Sequence, residues 1–260
     1  FGDVVKRTMK DFGGEIIPVD SEHSALFQLL NERRDEVEKI ILTASGGPFR
    51  KLRKEELSRV KPEDALKHPT WKMGKKITID SATLFNKALE VIEANRLFDF
   101  GPEKIEVVIH PESIVHGAVL LKDGAILAHL SQPDMRVPIQ YALSYPERWE
   151  NPVRFVPLVK IGKLTFEEPD RERFPALKLG YRALNEGGTM PAVLNAANEV
   201  AVHAFLEGRI PFTAISEIVE KVMDYHSVGP AYPLKRVLEA DYWAKQVAEA
   251  HITNWRDEEV

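Results

Sequence analysis

The chain has 260 residues, enough for one large or two ordinary domains with real hydrophobic cores. Apolar content of 44% and charged content of 29% are those of a soluble globular protein. A net charge of −5 offers no basic face for nucleic acid or an anionic membrane surface. With no cysteine, disulfides, thiolate nucleophiles and Cys-ligated metals are excluded, so any metal must be held by Asp, Glu, His or water.

In chain order, Val4 to Met9 reads as a short helix and Glu15 to Val19 as a strand that ends in Asp20-Ser21-Glu22. On a strand, side chains at i and i+2 share a face, so Asp20 and Glu22 can converge. Two converging carboxylates repel unless a cation or proton lies between them, and a hard divalent ion answers that need. The plainer alternative is a solvated acidic turn with Asp20 or Ser21 as the N-cap of a helix over His23 to Asn31. Val37 to Ala44 is a strand feeding Ser45-Gly46-Gly47-Pro48. The glycines would let backbone approach an anion and Ser45 offers a hydroxyl, although an ordinary turn has the same composition. Between Pro48 and Lys75 there is little periodicity. His68, Trp71 and Met73 lie there, as in a lid whose imidazole meets a phosphate and whose indole covers the substrate.

Lys76 to Ile79 reads as a strand and Thr83 to Phe98 as a helix capped by Ser81, whose N-terminus would attract phosphate. Asn86, Glu90 and Glu93 share one face of that helix and Lys87 sits beside them. Glu90 is then a third carboxylate for an open, all-oxygen Mg²⁺ or Mn²⁺ site. A solvated Lys–Glu face is the competing reading. Glu106 to His110 is a strand, and Ala118 to Leu121 with Ala125 to Leu130 a hairpin about Asp123-Gly124. Helix follows around Ile139 to Leu143. Prolines at 152, 157, 169 and 175 mark 151–175 as a linker. Residues 176–260 read as almost wholly helical, with helices at Ala192 to Leu206, Thr213 to Tyr225 and Val237 to His251. Asn195, Asn198 and Glu199 suggest a buried polar network of structural character. The expected fold is an α/β (α+β) domain with a mostly parallel or mixed sheet over 20–150, the linker, and a C-terminal α-helical bundle.

The motifs P-V-D-S-E-H (18–23), S-G-G-P-F (45–49), H-P-T-W-x-M-G (68–74), D-S-A-T-x-x-N-K-x-L-E-x-I-E-A (80–94), H-P-E-S-I-V-H (110–116), P-D-M-R-x-P-I (133–139) and N-A-A-N-E-V-A (195–201) occur together in one order. That ordered set resembles the 1-deoxy-D-xylulose 5-phosphate reductoisomerase family over almost the whole chain. The resemblance implies a metal-dependent rearrangement of 1-deoxy-D-xylulose 5-phosphate, then reduction by NADPH to 2-C-methyl-D-erythritol 4-phosphate for isoprenoid synthesis. It implies Asp20, Glu22 and Glu90 as ligands for Mg²⁺, Mn²⁺ or Co²⁺. Ser45, Ser81, Asn86 and Lys87 match the phosphate site, and Ser21 a substrate hydroxyl contact. His68 and Trp71 close on the substrate, and Met73, Gly74, Pro133 and Met135 lie near the nicotinamide. Glu22, His68, Lys87 and Glu90 are the expected catalytic residues, with Glu93 nearby. A cytoplasmic homodimer is implied.

The family's N-terminal dinucleotide-binding motif is not found, so residues 1–19 read as the tail of an NADPH-binding domain. On that reading the chain alone is an incomplete enzyme. Two rivals remain: a sugar-phosphate isomerase or aldolase without nicotinamide, and a non-catalytic dimerisation module.

Overall fold

The structure is a computed structural model that describes residues 1–31, 33–66, 73–151 and 153–258. Its helices are α1 (Gly2–Phe12), α2 (Ser21–Leu30), α3 (Lys54–Leu57), α4 (Pro62–Ala65), α5 (Lys75–Thr83), α6 (Phe85–Phe98), α7 (Arg136–Ser144), α8 (Leu158–Ile161), α9 (Ala176–Glu186), α10 (Met190–Leu206), α11 (Ala214–Tyr225) and α12 (Leu234–Glu258). The strands are β1 (Val37–Ala44), β2 (Ile105–Ile109), β3 (Val115–Leu121) and β4 (Ile126–Leu130). No described helix is long and apolar enough to cross a membrane.

The run Ile40-Ile41-Leu42, rich in β-branched residues, suits β1 to its place as one of the two inner strands of a four-stranded sheet ordered β2-β1-β3-β4. β1 pairs parallel with β2, in register Ile40 to Ile105 through Ala44 to Ile109. It pairs antiparallel with β3, which pairs antiparallel with β4. The sheet is therefore mixed, with a smaller parallel share than the sequence suggested. The hairpin turns at Asp123-Gly124 as expected: Gly124 has φ +89° and the Asp123 carboxylate accepts the Ala125 N–H.

Two expected strands are absent. Residues 15–19 are irregular, because Pro18 donates no ladder hydrogen bond and no described strand pairs with the segment. Lys76 to Ile79 lies inside α5. Its β-branched residues favour a strand, but tertiary packing overrides that preference by burying Thr78, Ile79, Ala82 and Thr83 along one helix. Thr78 and Thr83 also return their hydroxyls to the carbonyls of Gly74 and Ile79. In the segment without clear periodicity, α3 and α4 are helices of a single turn each.

α2 packs on β3 and β4, and α6 on β1 and β2. One continuous apolar core runs from the sheet through α6 and α9 into α10, α11 and α12. α6 and α9 approach closely because Gly180 lacks a side chain: a Cβ there would lie 2.7 Å from Ala88 Cα. Gly180→Ala should therefore cost about 1–3 kcal/mol by overpacking, a fall in Tm of at least about 2 °C for a chain of this size. An unchanged Tm would mean that the two helices can separate freely.

Candidate metal and phosphate site

Asp20 is the N-cap of α2, and its carboxylate accepts the backbone N–H groups of Glu22 at 3.1 Å and His23 at 3.4 Å. The strand geometry expected for Asp20-Ser21-Glu22 is thus replaced by a helix start, where the exposed N–H dipoles favour anions. Convergence survives the change. One ligand oxygen each from Asp20, Glu22 and Glu90 lies within 4.8 Å of the others. Glu90 comes from the middle of α6 and is buried.

A cation already stands among these acids. The Lys87 ammonium, itself buried, donates to Glu22 Oε1 at 2.8 Å and to Glu90 Oε2 at 2.5 Å. Asn86 Nδ2 donates to Glu90 Oε1 at 2.5 Å, and Ser21 Oγ donates to the Glu22 carboxylate. This lysine is a stand-in that tests the donor set. Glu22 and Glu90 receive its charge, and with Asp20 converging on them the three offer the oxygen donors of a hard divalent site.

A second cation supports the first. His23 is buried, with Nε2 donating to the Glu90 carbonyl at 3.1 Å and Nδ1 3.3 Å from Asp20 Oδ1. A carboxylate oxygen beside Nδ1 while Nε2 donates elsewhere favours the imidazolium form of the ring. Burial alone would lower its pKa, but the hydrogen bond and charge of Asp20, with Glu90 and Glu93, raise it to about 9. Glu93 is largely exposed, 3.7 Å from His23 Nδ1. Burial pushes the Asp20 carboxyl upward, yet His23 and Lys87 hold it well below the carboxylate range. Glu90 goes the other way: burial, then the charge of Glu22, raise it well above its ordinary value despite Lys87. Lys87 is raised because Glu22, Glu90 and Asp20 outweigh its own burial.

These groups open into a cavity of about 340 Å³ lined by Asp20, Ser21, Glu22, Ser45, Met73, Ser81, Asn86, Lys87 and Met135. The cavity unites nine sequence-predicted residues from five parts of the chain. Glu90 stands behind the lining, while Gly74 and Pro133 are not part of it. His68 and Trp71 lie outside the described residues.

At the other end, Ser45 Oγ and Ser81 Oγ are 3.5 Å apart, and Gly47 N–H donates to Ser45 Oγ. Gly47 has φ +66°, and a Cβ there would strike Ala82 Cα and the Ser81 carbonyl at 2.8 Å, so only glycine fits. Ser81 does not cap a helix after a strand. It sits in the last turn of α5, and the N-terminus beside the cavity belongs to α6, whose first turn carries Asn86 and Lys87.

Two polar lining residues, His116 and Ser113, were not singled out in sequence. His116 on β3 is buried, donates through Nε2 to the Ser131 carbonyl at 3.2 Å, and is lowered in pKa by burial. Ser113 lies nearby with φ +52°. The H-P-E-S-I-V-H motif was the available signal for both, as P-V-D-S-E-H was for His23.

Known proteins share this sequence and fold. Residues 16–98 match the model of the 1-deoxy-D-xylulose 5-phosphate reductoisomerase C-terminal domain, and residues 130–247 that of the DXP reductoisomerase C-terminal domain. The chain is 56% identical over 254 residues to the 1-deoxy-D-xylulose 5-phosphate reductoisomerase of Desulforamulus reducens, covering 97% of this chain and 66% of that one. It spans about two thirds of the length of the curated relatives it matches, including the enzyme of Prosthecochloris aestuarii at 56% identity and 65%. A solved Zymomonas mobilis reductoisomerase in complex with NADPH superposes with TM-score 0.90 at 44% identity, over 96% of this chain and 65% of that one. A DOX-P reductoisomerase in complex with NADPH, fosmidomycin and magnesium superposes with TM-score 0.92 at 39% identity, over 98% and 67%. The chain belongs to the 1-deoxy-D-xylulose 5-phosphate reductoisomerase family.

Proposed function

We propose that this chain forms the metal- and substrate-binding part of an enzyme that rearranges 1-deoxy-D-xylulose 5-phosphate and reduces it to 2-C-methyl-D-erythritol 4-phosphate with NADPH. The observation that carries the reading is one cavity with Asp20 and Glu22 at one end, backed by Glu90, the Ser45 and Ser81 hydroxyls at the other, and Asn86 and Lys87 between them, bonded to the acids. That polarity matches a sugar phosphate with vicinal oxygens remote from its phosphate.

Asp20, Glu22 and Glu90 would hold a divalent ion, magnesium, manganese or cobalt, which supplies Lewis acidity to substrate oxygens when bound. Ser45, Ser81 and Asn86 donate hydrogen bonds to the phosphate, and Lys87 adds charge. This remote binding energy holds the carbon frame in place. Ser21 contacts a substrate hydroxyl. Glu22 and Glu90 keep negative charge beside the reacting carbons, and Lys87 limits its cost. Met73 and Met135 give the cavity an apolar wall suited to a nicotinamide face, and NADPH supplies hydride when bound. Gly74, Pro133, His68 and Trp71 are assigned by the family resemblance. The reading includes a division into 1–19, 20–150, a linker over 151–175 and 176–260, and a cytoplasmic homodimer. Edge strand β4, with Ile126 exposed, is a pairing surface for the dimer.

Calorimetric titration of Mn²⁺ with and without 1-deoxy-D-xylulose 5-phosphate tests the reading. Sugar phosphate should tighten metal binding; no binding of either ligand would reject the site. Glu90→Gln should weaken Mn²⁺ binding at least about tenfold while circular dichroism stays that of the parent. Undiminished Mn²⁺ affinity would remove Glu90 from the ligand set.

The pH dependence has a definite sign. Glu90 is raised above 4.5, so its ionisation penalises the metal-free fold increasingly as pH climbs above that value. His23, raised from 6.5 to about 9, contributes stability below pH 6.5 that is lost as pH rises through about 9. Metal-free Tm should therefore fall from pH 6 toward pH 9, and the Tm gain from saturating Mg²⁺ should be larger at the alkaline end. A gain independent of pH would contradict this electrostatic picture.

A further inference from the structure

The N-A-A-N-E-V-A segment of α10 has no part in the site described above, yet it reaches it from behind. Asn198 is fully buried, and its Nδ2 donates to Asp80 Oδ1 at 2.8 Å across 118 residues of sequence. Asp80 is also buried, and its Oδ2 meets Lys76 Nζ at 2.5 Å. The next residue is Ser81, whose hydroxyl faces Ser45 in the cavity. We propose that Asn198 is a positioning residue for the phosphate end of the site, acting through Asp80 to set the last turn of α5 and with it Ser81.

Three observations support this. Lys76 lies one turn before Asp80 on the same helix, so that ion pair braces α5 only against itself. Asn198 instead refers α5 to α10, which is packed against α9, α11 and α12. Second, the segment being held has little freedom. Gly47 is pressed on the Ser81 carbonyl and Ala82 Cα so closely that no Cβ fits between them. A small shift of the last turn of α5 would move Ser45, Gly47 and Ser81 together. Third, Asn198 Oδ1 has no hydrogen-bond partner among the described residues. An orphaned buried acceptor is costly, and a leucine of similar size would avoid that cost. What the amide adds is direction, because an N–H of its Nδ2 is aimed at a single carboxylate oxygen, Asp80 Oδ1.

The inference rests on the assignment of Ser81 to the substrate phosphate. The test compares the unaltered chain with Asn198→Leu, which keeps the space filled, Asn198→Asp, which sets two carboxylates together, and the exchange Asn198→Asp with Asp80→Asn. Each is titrated with Mn²⁺ alone and with 1-deoxy-D-xylulose 5-phosphate in the presence of Mn²⁺. The single variants should bind the sugar phosphate at least about tenfold more weakly, with Mn²⁺ affinity within about twofold of the parent. The exchange should recover most of the loss. A folded single variant with undiminished sugar-phosphate affinity overturns the inference. So does a parallel loss of Mn²⁺ affinity, which would mark Asn198 as a general packing residue. If the unaltered chain binds Mn²⁺ but no sugar phosphate, the assignment of the phosphate end fails first and the inference falls with it.

Discussion

The structure turns on one buried ammonium. Lys87 Nζ lies between Glu22 and Glu90, with Asp20 completing the acidic ring. Taking the Glu90 carboxylate out of bulk water is expensive, and repulsion from Glu22 and the partly exposed Asp20 adds to the cost. A cation among them is required for α2 and α6 to meet where they do. His23 supplies the second positive charge by bridging Asp20 and the Glu90 carbonyl. Even with both cations, burial and then the charge of Glu22 hold Glu90 high in pKa. The site is poised for more positive charge than its own side chains provide.

The rest of the fold can be read as the means of bringing the ring and its neighbouring anion pocket together. β1 delivers Ser45 at its end, and α5 delivers Ser81 at its own. The reversal at Leu84, with φ +66°, starts α6 so that Asn86 and Lys87 follow within one turn. Asn86 and Lys87 face both functions at once: each hydrogen-bonds Glu90 and each lines the cavity. The two ends of the site are therefore mechanically joined by three residues of a single helix.

Behind this lies the helical layer α9 to α12. Its contact with the site is indirect, through Gly180 against Ala88 and through Asn198 against Asp80. Both contacts fall within one residue of a group that lines the cavity. A shared apolar core, unbroken between sheet and helices, makes the layer a rear wall for the site.

Much of the chemistry was legible in the linear chain. Asp20 and Glu22 stand out by their i and i+2 spacing, and Lys87 and Glu90 by sharing one helix, because such groups imply a shared charge problem wherever they meet. β1, α6 and the Asp123-Gly124 hairpin follow from local pattern and turn chemistry. What local pattern does not hold is the partner each segment finds. Asp20 became an N-cap because α2 begins at Ser21, and the β-branched run at Ile77 to Ile79 became helix because burial along α5 outweighs intrinsic preference. His23, His116 and Asn198 acquired roles only when residues 67, 15 and 118 positions away came within hydrogen-bond reach. The sequence by itself determined which charges must be reconciled. Only the tertiary structure decided where, because burial and charge pairing depend on distances that no stretch of chain contains alone.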